Sequence, residues 1–171
     1  MKFYIFILLI LVSNLTFGQS QINLIGEVVD FKTNEPIVGV AIKMFDSNNL
    51  INTEFSTKDG EFNITLNENI KKVEFHFIGY LPLIIENFNS TTNKSEIANI
   101  KLYETPFVHI DYETKARRSD TRTLRKEQRM VKKGLMVECP NGLNYKMRFS
   151  KKDFRHALYI DYLDLMECNE K

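Results

Sequence analysis

GEVVDFKTNEPIVGVAIKMFDSNNLINTEFSTKDGEFNITLNENIKKVEFHFIGY, residues 26–80, sets short alternating apolar runs between turn residues, and that rhythm decides the fold. Gly26, Val28 and Asp30 continue the period-two run begun by Ile22 and Leu24, the mark of a half-buried strand. The run breaks at Thr33, Asn34, Glu35 and Pro36, because Pro36 fixes its own φ and drives Glu35 out of the helical region. After Gly39, Val40, Ile42 and Met44 alternate with Ala41, Lys43 and Phe45 until Asp46, Ser47, Asn48 and Asn49 close a second strand. A third strand spans 51–56. Lys58, Asp59 and Gly60 then turn the chain, since Gly60 accepts the positive φ of a tight turn.

Phe62, Ile64 and Leu66 alternate next, followed by Val73, Phe75 and Phe77 with Glu74 and His76 on the opposite face, as far as Gly79 and Tyr80. Short apolar runs at 83–85 and 97–102 bring the expected number of strands to about seven. Strands this short, with no long helical period between them, predict a mainly β, antiparallel, Greek-key β-sandwich and not a parallel α/β sheet.

Four blocks carry a family resemblance: Gly26-Glu27-Val28-Val29-Asp30, Asn34-Glu35-Pro36-Ile37-Val38-Gly39-Val40, Ser56-Thr57-Lys58-Asp59-Gly60-Glu61-Phe62 and Phe75-His76-Phe77-Ile78-Gly79-Tyr80. In this order they resemble the carboxypeptidase-regulatory-like domain, a transthyretin-like (prealbumin-like) seven-stranded sandwich found in envelope proteins of Bacteroidota. The resemblance covers residues 21–103. It implies a scaffold marked by Gly26, Pro36, Gly39, Gly60, Gly79 and Tyr80. It carries over no catalytic residue. Related modules accompany metallocarboxypeptidases and precede the plug of TonB-dependent receptors, so the resemblance also admits an accessory role in outer-membrane transport.

Lys2 and the apolar run from Phe3 to Val12 predict a signal peptide over 1–18, with Thr16 and Gly18 placed for a cut before Gln19. Ten apolar residues fall short of a bilayer span. The expected localisation is therefore export to the periplasm, the outer-membrane periphery or the exterior. A lipoprotein is disfavoured because no cysteine lies near the cut. The division that follows is the sandwich at 19–104, a basic and helical linker at 105–134, and a small α+β extension, hairpin plus helix, at 135–171.

The formal charge of the whole chain is +1, which conceals a split. Residues 19–104 hold 7 Lys and 12 acids, giving −5, whereas residues 105–171 hold 15 Lys plus Arg and 10 acids, giving +5. The cations concentrate after Lys115 at Arg117, Arg118, Arg122, Arg125, Lys126, Arg129, Lys132 and Lys133, against Asp120 and Glu127, and Gly134 offers a stop. Two readings are open for this helix. It is a contact patch for an envelope protein, an anionic envelope polymer or phosphate-bearing lipid head groups, or it is a solvated linker paired with the acidic sandwich. Nucleic acid is disfavoured by the export signal and by the lack of interleaved aromatic residues.

Asn141-Gly142 predicts a hairpin between Leu135–Cys139 and Leu143–Phe149. Phe154, Ala157, Leu158, Asp161, Tyr162 and Leu165 recur at helical spacing, so a helix is expected over 151–167, although Lys151, Lys152 and Arg155 at its start and Asp164 and Glu167 at its end oppose the helix dipole. A basic segment lying beside the acidic end would offset that inversion. Cys139 and Cys168 are either joined, stapling helix to hairpin, or two partly buried thiols. Two ligands so far apart lack the paired spacing of a zinc site.

His76, His109 and His156 stand apart from one another in the sequence, Asp46 and Asp59 read as turn caps, and no phosphate loop, metalloprotease pair or nucleophile elbow is present. No metal or cofactor is expected. The expected function is a non-catalytic envelope scaffold or binding module, with transport accessory and small hydrolase as alternatives.

Overall fold

The computed structural model of the chain describes residues 21–88, 94–106, 118–139, 141–152 and 155–169. The expected signal peptide, His109, Lys115 and Arg117 lie outside the described residues. Strands β1 (Gln21–Asp30), β2 (Ala41–Asp46), β3 (Asn49–Phe55), β4 (Glu61–Asn67), β5 (Lys72–His76), β6 (Leu83–Glu86) and β7 (Lys94–Leu102) stand where the turn spacing places them. Helix α1 (Arg118–Lys133) leads to β8 (Leu135–Glu138), β9 (Asn144–Lys152), β10 (Arg155–Asp161) and helix α2 (Tyr162–Asn169).

The strands form two sheets, ordered β4-β1-β7 and β3-β2-β5-β6-β10-β9-β8. The expectation of a purely antiparallel sandwich is corrected here. β1 pairs in parallel with β7, as β6 does with β10, and the second sheet joins four strands of the first hundred residues to three from the extension. The reason lies in connectivity. Antiparallel neighbours follow from short hairpins, whereas the chain leaves the first sheet again after β4, passes through β5 and β6 of the second, and returns at β7, a crossover that permits parallel pairing with β1.

Alternation buries one face of each sheet against the other. Leu24, Val28, Ile64, Leu66 and Ile100 of the first sheet share a continuous core with Ile42, Phe75, Ile85, Leu158 and Ile160 of the second. The rings of Phe62 and Phe75 meet across the sheets with centroids 5.4 Å apart. Gly26 is not at a turn but inside β1, opposite Phe62 and Ala98. A Cβ at this position would overlap the Ala98 carbonyl oxygen, so glycine is required by close approach of the β7 backbone.

The helix expected over 151–167 is also corrected. Residues 155–161 form strand β10, and α2 begins only at Tyr162. Buried Leu158, Ile160 and Tyr162 follow period two as well as the helical set follows its own period, and a short run does not separate them. What decides is β6, whose Leu83, Ile84 and Ile85 are all buried, so that it belongs inside a sheet with a strand on each side. β10 supplies the second neighbour, with Leu158 opposite Leu83 and Ile160 opposite Ile85. The inverted dipole vanishes with the long helix: Lys151, Lys152 and Arg155 belong to strands, and Asp164 falls in the first turn of α2, where an acid is favourable.

The predicted hairpin is formed by β8 and β9, with Leu135 opposite Met147. Gly142 takes φ 81°, and the Asn141 side-chain oxygen accepts from the Leu143 amide at 3.0 Å. The residues after 134 therefore extend the second sheet of the body and share its core. No helix among the described residues is long and apolar enough to cross a membrane.

Candidate functional site

Helix α1 docks by one side and leaves the other to solvent. Its docking side carries Val131, fully buried, together with Glu127, which lies 3.3 Å from Lys32, and Gln128, whose side-chain amide donates to the Pro106 carbonyl at 3.1 Å. The helix stops because Gly134 adopts φ 89°, with its amide donating to the Val131 carbonyl at 2.9 Å. A Cβ at 134 would lie 2.8 Å from the Met147 carbonyl oxygen, which fixes the helix end against β9.

Arg122, Arg125, Lys126, Arg129, Lys132 and Lys133 are all exposed. At about 100° per residue they fall within an arc of about 120°, centred opposite Val131. Arg118 is the first residue of the helix, and its side chain lies outside the described residues. Glu127 is held at the docking side by Lys32, which leaves the cationic face without that carboxylate. The sense of this ion pair is the reverse of the expected pairing, with the cation on the sandwich and the acid on the helix. Lys132 and Lys133 in the last turn also complement the helix dipole.

Of the residues that mark the family resemblance, Pro36, Gly60 and Tyr80 meet around the end of β1. The Val28 amide donates to the Gly60 carbonyl at 2.8 Å, Val29 bridges Pro36, and the Ile37 amide donates to the Val28 carbonyl at 2.9 Å. The Tyr80 hydroxyl donates to the Asp30 carboxylate at 2.9 Å, and the same carboxylate accepts from the amides of Lys32 and Thr33. Burial would raise the Asp30 pKa, but these hydrogen bonds hold it below its ordinary value. Burial and the Asp30 charge push the Tyr80 phenol up to about 12. Gly39, Gly60 and Gly79 take positive φ. These contacts are architectural.

Cys139 and Cys168 are bonded, with Cα atoms 5.1 Å apart, and tie the end of β8 to α2. Asp46 accepts from the neighbouring Ser47 hydroxyl at 3.5 Å, and the Asp59 amide donates to the Thr57 hydroxyl at 3.3 Å. The His156 ring stacks near Phe149 with centroids 5.5 Å apart. Among the described residues, no three His, Cys, Asp or Glu side chains gather as a metal site would require.

One polar residue behaves differently from its sequence reading. Alternation places Glu74 on the outer face of β5, yet it is buried there, with its carboxylate 2.5 Å from Lys72 Nζ and 2.8 Å from His76 Nε2. Burial alone would raise its pKa. The hydrogen bonds from His76 and Lys72 and the Lys72 charge outweigh burial and hold it at about 2, against an ordinary 4.5. The folded state therefore gains stability from this carboxylate above pH 4.5 and loses it as the pH falls towards about 2. Glu74→Gln is expected to remove up to about 3 kcal/mol at neutral pH and little at about pH 2. Urea unfolding midpoints of the two proteins at both pH values check the difference.

The fold defines a mainly β protein of two packed sheets. No family model matches the chain, and no curated protein matches it. Among solved structures it is similar to part of a Bacteroides uniformis protein described as carbohydrate-binding, at 19% identity over 50% of this chain and 42% of that one, TM-score 0.38. A streptococcal ancillary pilin shares 17% identity over 52% of this chain and 30% of its own, TM-score 0.36. A 9R-lipoxygenase from Cyanothece shares 14% over 62% of this chain and 21% of its own, TM-score 0.38. The chain thus spans less than half of each of these proteins, and the likeness is to portions of larger chains.

Proposed function

We propose that this protein is an exported, non-catalytic module of the cell envelope, of the carboxypeptidase-regulatory-like kind, whose body presents the basic face of α1 to an anionic envelope polymer. The observation that carries this reading is the six exposed cations gathered on one arc opposite the buried Val131. A random scatter of lysines would surround the helix, and a helix folded onto an acidic partner surface would turn its cations inward. This helix turns them outward and docks through Glu127, Gln128 and Val131. Val131 is taken up by the core, and among the described side chains of α1 Met130 alone is both apolar and exposed, too little apolar surface to insert between lipid chains, which favours a polymer over a bilayer.

A binding role is supported by where the chemistry-bearing residues are engaged. Asp30 and Tyr80 lock a corner, the cysteines are bonded to each other, and Glu74 is held by two basic side chains. Export rests on the Lys2 and Phe3–Val12 segment.

Changing Arg122, Arg125, Lys126, Arg129, Lys132 and Lys133 to Gln is expected to weaken binding to alginate by at least ~30-fold at low salt, with wild-type binding also falling steeply as salt rises. The melting temperature should stay nearly unchanged, since all six side chains are exposed. Equal alginate binding by the six-fold variant would overturn the proposal, as would tighter wild-type binding to phosphatidylglycerol vesicles than to alginate.

A further inference from the structure

We propose that the outer face of the second sheet carries a binding hollow for a neutral glycan chain, separate from the basic face of α1. Strand register builds its floor. Lys43 of β2 stands opposite Glu74 of β5, Glu74 opposite Ile84 of β6, and Ile84 opposite Tyr159 of β10, which makes one outward row across four strands. A second row sets Phe45 opposite Lys72 and Lys72 opposite Glu86.

A hollow of about 620 Å³ opens over these rows, lined among others by Phe45, Lys72, Glu74, His76, Ile84 and Tyr159. Its size lies in the range of small-ligand sites. A second hollow of about 510 Å³ shares His76 and Pro82 with the first and runs past Lys43 to Tyr80 and His156. Two hollows joined end to end suit a chain of several units better than a compact molecule.

The lining selects the chemistry. Ile84 and Ala157 are buried on this outward face and give it an apolar floor, while Phe45 and Tyr159 supply aromatic surface. Charges are balanced in the first hollow, where Lys71 and Lys72 are matched by Glu74 and Glu86, so a ligand of strong net charge gains little there. A hydroxyl-rich ring with an apolar C–H face matches both features, stacking on the floor and aromatic rings while its hydroxyls meet polar groups.

Glu74 is suited to receive those hydroxyls. Its two oxygens accept from Lys72 and His76, and a carboxylate has about four acceptor sites, so capacity for hydroxyl donors remains. Lys72 is positioned in turn, with its ammonium 4.4 Å from the centroid of the Phe45 ring. The acceptor is therefore fixed before a ligand arrives, which lowers the ordering cost of binding. Asn48 adds a side-chain amide at the rim, beside Asn87, whose own amide donates to Asp161.

The test titrates the chain from residue 19 onward with neutral hexasaccharides of β-1,4-glucan, α-1,4-glucan, β-1,4-xylan and β-1,4-mannan, and with oligogalacturonate as the charged control, by calorimetry and NMR. At least one neutral hexasaccharide is expected to bind, and Tyr159→Ala and Phe45→Ala should each weaken it by at least ~10-fold. Asn48→Ala, at an exposed residue, gives a milder loss in a protein of unchanged melting temperature, which separates loss of contact from loss of fold. The six-fold α1 variant should bind the neutral hexasaccharide as the wild type does, so this site and the α1 proposal fail independently. No binding of any neutral hexasaccharide at millimolar concentration, binding of oligogalacturonate alone, or affinity unchanged in Tyr159→Ala, Phe45→Ala and Asn48→Ala would overturn the inference.

Discussion

Replacing both Leu158 and Ile160 by aspartate is expected to unfold the whole chain in a single transition, strands β1 to β7 included. Both side chains are buried at 1% exposure or less, within the core that the two sheets share. Removing a buried Leu or Ile side chain costs about 2–5 kcal/mol, and an unpaired carboxylate in its place costs more. Two such sites meet or exceed the 5–15 kcal/mol that holds a typical domain together. An appended unit would melt alone and leave a stable sandwich behind. Here β10 is the parallel neighbour of β6, and its loss leaves Leu83 and Ile85 without their partners. Circular dichroism with amide exchange read at β1 checks this. Retained protection of the β1 amides would show that the sandwich stands without β10.

The second large effect concerns the Cys139–Cys168 bond. Its loop of 29 residues is worth about 3–4 kcal/mol in the chain-entropy model. The double change to Ser, or reduction of the native protein, is expected to lower the melting temperature by about 10 °C, at roughly 2–4 °C per kcal/mol for a chain of this size. The effect should centre on α2, which packs against β7, β9 and β10 and carries Cys168 near its end. Calorimetry with and without reductant measures the shift. An unchanged melting temperature together with two titratable thiols in the native protein would contradict the bond.

The first seven strands were legible because their alternation is punctuated by residues with one conformational meaning, such as Pro36 and Gly60. Gly26 was legible as a marker but not in its role, since the β7 backbone that crowds it lies about seventy residues on in the chain. β10 was hidden because Phe154, Ala157, Leu158 and Leu165 satisfy a helical period while Leu158, Ile160 and Tyr162 satisfy a strand period. The continuous run Leu83–Ile85 held the missing signal, since a strand buried on both faces cannot lie at a bare edge.

The cationic face of α1 was readable as a density of charge, and its one-sidedness follows from the helical period of Arg122, Arg125, Lys126, Arg129, Lys132 and Lys133. How the helix docks was not readable, because Lys32 and Glu127 are 95 residues apart. Glu74 shows the same limit. Alternation gives the face on which a strand residue sits, but its burial there depends on neighbours from β2, β6 and β10 that only the folded sheet brings together.

Amide exchange of the chain from residue 19 onward, with and without bound alginate at low salt, tests the basic face of α1 most directly as the contact surface. Added protection over Arg122–Lys133, lost again at high salt, is the predicted result. Protection confined to β2, β5 and β6, with α1 exchanging as in the free protein, would contradict it.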